Sequence, residues 1–140
     1  MNKPEQKFWR NEVRPALQRI TALNYERMEL RLGKAGFPDV FFNYHGPGVI
    51  ELKVSTNEAD NVWDLSEWTE EQRGWAKRFC HSGMRGFLMV RGPSGVVMAN
   101  VNHVIDHSEV TWADFLAGRA FNFGQRVNTR GLASVLHGHY

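Results

Sequence analysis

Glu51 and Lys53 stand at alternate positions inside an otherwise apolar run, Gly48-Val49-Ile50-Glu51-Leu52-Lys53-Val54, and this placement constrains the chain more than any other feature. As a strand, the run sets Val49, Glu51 and Lys53 on one face and Ile50, Leu52 and Val54 on the other. The preceding segment, 38–44, is also apolar, and His45-Gly46-Pro47-Gly48 between the two is rich in turn formers. The spacing therefore predicts an antiparallel hairpin of strands 38–44 and 48–54. In such a hairpin the start of one strand lies near the end of the next, which brings Asp39 towards Glu51 and Lys53.

Elements of both kinds flank this hairpin. Phe8, Val13, Leu17, Ile20 and Leu23 recur at helical intervals over residues 5–23, and Pro15 must kink that helix or begin a second one. A strand is predicted over 25–31. Ser55 to Trp68 is polar and aperiodic, and reads as a long loop. Thr69 followed three residues later by Gln72 fits a capping box, opening a second helix through Trp75 and Phe79 towards Gly83. Phe87–Val90 and Val96–Ala99 flank Gly92-Pro93-Ser94-Gly95 as a further strand pair. Val101 to Ile105 reads as strand or loop, Thr111 as the cap of a short helix over Trp112–Leu116, and Gly131–Leu136 as a weaker helix, with the last four residues frayed. The pattern α-β-β-β-α-β-β implies an α/β domain. Its central mixed sheet of about five strands has helix one on one face and helix two on the other.

At 140 residues and 42% hydrophobic, the chain has material for one ordinary core and not two. Residues 1–118 form the expected main domain, and 119–140 a basic C-terminal extension of it. The single cysteine, Cys80, excludes an intramolecular disulfide and suits a reducing, cytoplasmic setting. The N-terminus is charged from the start and no apolar run approaches the ~18 residues that cross a bilayer, so neither a signal peptide nor a membrane partner is expected. Net charge is only +2, yet its distribution is uneven. Glu58 to Glu71 carries six acids and no base, whereas Arg119, Arg126 and Arg130 follow Asp114 with no acid. Basic ends suit a phosphate-tracking role or plain solvation.

Asp39, Glu51 and Lys53, two carboxylates and a lysine in apolar strands, make an oxygen-rich pocket that suits Mg²⁺. Such an ion lowers the pKa of bound water and neutralises charge on a phosphate, with Lys53 orienting or deprotonating the water. The same three residues also fit an exposed sheet face bearing a Glu/Lys pair, worth at most ~1 kcal/mol. Other clusters are weaker. His103 and His107 have helical metal-ligand spacing in a segment that does not read as helix, and no third ligand accompanies them. Cys80 reads as a small buried hydrophobe, and Gly92–Gly95 as a plain turn. Trp63 and Trp68 flank the acidic loop, where they stack on a base or cover the core.

Gly36-Phe37-Pro38-Asp39-Val40, a Gly-rich turn, Ile50-Glu51-Leu52-Lys53, a polar loop and Glu71-Gln72-Arg73-Gly74-Trp75 together resemble the PD-(D/E)xK nuclease superfamily. Within it they are most similar to the virus-type replication-repair nucleases and phage Holliday-junction-resolvase-like endonucleases, over roughly residues 5–91. The resemblance implies a restriction-endonuclease-like core and a Mg²⁺-dependent endonuclease, with Mn²⁺ as a substitute. Asp39, Glu51 and the Leu52 backbone carbonyl hold the metal, Lys53 serves the water, and Gln72 sits beside the site. Gln72 has a competing structural role in the Thr69 cap. An acid from the first helix completes the family's site. Glu5 is the choice here, with Glu12 and Glu29 as competitors, although an acid there is also a plain helix-terminus charge. The implied substrate is branched DNA cut by a homodimer in a phage or bacterial cytoplasm, leaving a 5′-phosphate. The alternative is a nuclease-fold accessory protein that binds DNA or a host protein without cutting, motivated by the acidic run 58–71. A restriction-like enzyme with sequence specificity would need a recognition domain for which the chain has no room.

Overall fold

The computed structural model describes residues 3–28, 38–55, 68–93, 95–104 and 120–138, and the backbone of 62–64 and 109–111. Helix one is a composite. An α-helix, α1 (Lys3–Phe8), runs through a π-helical turn, Trp9–Val13, into α2 (Arg14–Gln18). Pro15 explains the turn: in a regular helix its ring would strike the carbonyl four residues back, and it has no N–H to offer. Arg14 N–H bonds instead to Trp9 O, five residues back, which lets the chain pass the proline without breaking. The Asn11 carbonyl that Pro15 would otherwise leave without a donor accepts from Arg126 Nη2 at 3.4 Å.

A six-stranded sheet follows. Its strands are β1 (Asn24–Arg27), β2 (Val40–Asn43), β3 (Pro47–Val54), β5 (Arg85–Arg91), β6 (Val96–Asn100) and β8 (Phe121–Gly124), in spatial order β1-β2-β3-β5-β6-β8. The predicted hairpin is β2–β3, antiparallel with Val40 opposite Ile50. β3 and β5 are parallel, Glu51 beside Leu88 and Lys53 beside Val90, and the remaining pairs are antiparallel, so the sheet is mixed. The first strand is Asn24–Arg27, where 25–31 is expected; residues 29–37 lie outside those described. Within the stretch read as loop, β4 (Val62–Asp64) pairs antiparallel with β7 (Glu109–Thr111), so Thr111 ends a strand; the predicted helix 112–116 lies outside the described residues.

Each face of the sheet has its own core. On one, Phe8, Trp9, Val13 and Leu17 of helix one pack with Ile50, Leu52, Phe87 and Met89 and with Leu132, Val135 and Leu136 of the C-terminal helix. On the other, Leu88, Val90, Val97 and Ala99 meet Trp68, Ala76 of α3 (Glu70–His81), and Val101 and Val104 of a short turn, α4 (Val101–Val104). The two helices thus cover opposite faces, as expected. Val101–Val104 is helical rather than strand or loop, because Asn100 Oδ1 accepts from Asn102 N at 2.9 Å and starts the turn. The C-terminal helix, α5 (Thr129–His137), is longer than the predicted 131–136, being capped by Asn128 Oδ1 on Gly131 N and ended by Gly138 in the left-handed region. Its apolar side completes the first core, so the basic C-terminal segment is built into the domain.

Gly48 marks the tightest point of the hairpin. A methyl group there would lie 2.8 Å from Arg85 O, which belongs to the β5 backbone, and against the buried Phe42 ring. Gly48→Ala is expected to cost about 1–3 kcal/mol, read as a lower urea midpoint; an unchanged midpoint would show that the hairpin yields freely.

Candidate active site

The hairpin register, extended by one residue, sets Asp39 opposite Glu51. β2 begins only at Val40, so Leu52 N–H reaches past the end of its neighbour's backbone and donates to Asp39 Oδ2 at 2.7 Å. The side chain continues the ladder where the main chain has left it, and that bond aims the carboxylate at Glu51. Asp39 also holds β1 in place, its carbonyl accepting from Met28 N at 2.9 Å. Lys53, two residues on along the same face, places Nζ 3.5 Å from Glu51 Oε1. Glu5 comes from α1, which packs against β3, and its Oε1 lies 3.9 Å from the same ammonium. The site lies on an interior strand, because β5, β6 and β8 extend the sheet beyond β3.

All four side chains are buried: Glu5 5%, Asp39 5%, Glu51 5% and Lys53 6% exposed. These are the buried ionisable side chains among the described residues, three acids against one base. Withdrawing charge from water is expensive unless it is balanced, and here a formal charge of −2 is left over. Glu51 shows the consequence. Burial first, then the Asp39 charge and a hydrogen bond shared with it, push its carboxyl well above the usual glutamate range, with Glu5 adding to the rise and Lys53 opposing it. An excess of buried negative charge is the condition that a divalent cation relieves. Among the described residues no group of three or more His, Cys, Asp or Glu side chains is placed to hold a metal ion. A donor set of two carboxylates and a main-chain carbonyl is instead what suits Mg²⁺, which keeps several waters.

The remaining expected residues fall elsewhere. Glu12 is engaged in structure: Oε2 receives Arg91 Nε and Oε1 accepts from Val127 N at 3.3 Å, tying helix one to the C-terminal segment. Between the two helix-one acids, the fold brings Glu5 to the cluster. Glu29 lies outside the described residues. Gln72 completes the capping box, Oε1 accepting from Thr69 N at 2.9 Å and its own N–H reaching Thr69 Oγ1 at 3.2 Å. Trp68 is 1% exposed beneath the Arg73 guanidinium and so covers the core instead of offering a stacking surface. The Trp63 side chain and His107 lie outside the described residues, and His103 is exposed. Cys80 is half-buried beside the second core, and burial raises its thiol pKa, as befits an inert packing residue. No described helix is long and apolar enough to cross a membrane.

Comparison with known proteins places this architecture. No protein-family profile matches the sequence, and no curated protein is significantly similar to it. Thirteen chains of solved structures do match. One is Archaeoglobus fulgidus Hjc, a Holliday junction resolvase from an archaeal hyperthermophile, at a TM-score of 0.62 and 14% identity, covering 94% of this chain and 98% of the other. The chain therefore has a restriction-endonuclease-like fold, a mixed sheet flanked by helices, shared along almost its whole length.

Proposed function

We propose that this chain is a Mg²⁺-dependent endonuclease of the PD-(D/E)xK superfamily that cuts branched DNA. The observation that carries the reading is the buried convergence of Asp39, Glu51 and Lys53, joined by Glu5. It is supported by a fold shared with an archaeal Holliday junction resolvase, itself a member of that superfamily. A binding protein gains nothing from three buried acids that burden its stability, so the accessory-protein alternative is the weaker reading. The resemblance to virus-type replication-repair nucleases and the homodimer belong to the proposal as well.

In this reading Asp39, Glu51 and the Leu52 carbonyl hold the divalent ion, which when bound neutralises charge on the scissile phosphate and acidifies a water. Asp39 is kept in place by Leu52 N–H, so its position does not depend on the substrate. Lys53 lies between Glu51 and Glu5, where its ammonium orients the attacking water and steadies the phosphate. Glu5 keeps that ammonium from collapsing fully onto Glu51. Gln72 is assigned to its cap.

The test is direct. Four-way junction, flap, linear duplex and single-stranded DNA are incubated with the protein in Mg²⁺, Mn²⁺ and EDTA. Cutting in either metal, none in EDTA, preference for the junction and a 5′-phosphate product are expected. Absence of metal-dependent cutting on all four substrates would overturn the proposal, and equal cutting of all four would overturn its branched-DNA part.

A further inference from the structure

The surface next to the cluster carries a second feature. Three hollows adjoin one another: the first shares Asn11 and Glu12 with the second and Arg91 with the third, and the last two share Arg126. One wall is helix one, the other is the segment 125–129, and the floor is the Arg91–Glu12 ion pair. The first hollow is lined by Pro4 and Val54, the chain neighbours of Glu5 and Lys53, although Val54 is turned to the opposite face of the strand from Lys53.

Its charge is one-sided. Lys7, Arg19, Arg91 and Arg126 line it, against the single acid Glu12, which Arg91 already neutralises. Lys7, Arg19 and Arg126 are exposed. Lys3, Lys7, Arg10 and Arg14 recur at intervals of four, three and four residues along the exposed side of helix one, while its two acids are turned to the cluster and to Arg91. The walls are also fixed in advance: Arg91 Nη2 donates to Gln125 O at 2.6 Å, and Thr129 Oγ1 to Ala16 O at 3.3 Å. Across the sheet, α3 mixes exposed Glu70 and Glu71 with exposed Lys77 and Arg78, so the one-signed charge lies on the side of helix one.

The geometry points to a polynucleotide track: Lys7, Arg126 and Arg19, spread alongside helix one, take phosphates of one strand and lead its backbone along the helix towards the end that carries Glu5. These are positioning residues, and the inference deepens the nuclease reading by naming where the substrate lies. Phosphate contacts of this kind set affinity and register rather than sequence preference.

Binding of labelled duplex and junction DNA in EDTA, over a range of salt, tests it for the wild type, the three single alanine variants, their combination and the control Arg78→Ala on α3. Each groove substitution is expected to reduce the slope of log affinity against log salt by about 0.9, and the triple variant by about 2 to 3. Arg78→Ala leaves the slope unchanged. With Mg²⁺, the triple variant raises KM while kcat at saturating DNA stays close to wild type. A wild type that cuts, with slopes indifferent to the three residues, overturns the track and leaves the nuclease reading intact. Slopes that fall in a protein that never cuts support the track and remove the nuclease. Polyglutamate competing as well as DNA at equal charge overturns the assignment to a polynucleotide.

Discussion

Glu51→Gln is expected to lower Mg²⁺-dependent cleavage by 100-fold or more while making the metal-free protein more stable, an opposed pair of effects that few substitutions produce. The carboxyl of Glu51 titrates well above its ordinary range because it is buried beside Asp39. A group raised in the folded state contributes its full stability below the unfolded pKa and loses it as pH rises through the folded one. Glutamine keeps the neutral, hydrogen-bonded form at every pH. The variant and wild type should therefore match near pH 4, and the variant should gain progressively towards pH 8, by on the order of 1–3 kcal/mol, the scale of a buried polar group denied its solvation. Thermal unfolding in EDTA at pH 4, 6 and 8 measures the gap. A variant less stable than wild type at pH 8 would mean that Glu51 is held by favourable partners and not by excess charge.

Lys53→Met should do the reverse to stability while sharing the loss of cleavage. Its ammonium is the one buried cation among the described residues and faces both Glu51 and Glu5. Removing one partner from a buried ion cluster costs about 3–5 kcal/mol, because the charges left behind cannot return to water. The penalty should shrink at pH 5, where the Glu51 carboxyl escapes by taking up a proton, and be greatest at pH 8. Loss of a positioned group that serves the attacking water lowers rate by about 10²–10⁴-fold. Urea denaturation at the two pH values, beside junction cleavage in Mg²⁺, measures both effects. A stability loss below ~1 kcal/mol, the value of an exposed pair, would return Glu51 and Lys53 to the status of a surface arrangement.

What the chain alone determined is what depends on neighbours in sequence. The alternation of Val49, Glu51 and Lys53 with Ile50, Leu52 and Val54, and the turn formers between the strands, specify β2–β3 and its register, which already sets Asp39 opposite Glu51. Thr69 and Gln72 specify the start of α3 within four residues of each other. The tertiary structure decided everything that depends on distant partners. Glu5 and Glu12 are the same residue type two helical turns apart; one is buried at Lys53 and the other spent on Arg91 because of where β3, β5 and residue 127 come to lie. Trp68 is buried and not displayed because a second core forms over β5 and β6. Phe121–Gly124 is too short and too interrupted to signal a strand, and becomes one because β6 presents an open edge to it. Local patterns carry the hairpin because its interactions span a few residues, whereas the choice of acid and the cationic groove arise from contacts between segments far apart in the chain, Glu5 with Lys53, Glu12 with Arg91 and Val127, which no local periodicity encodes.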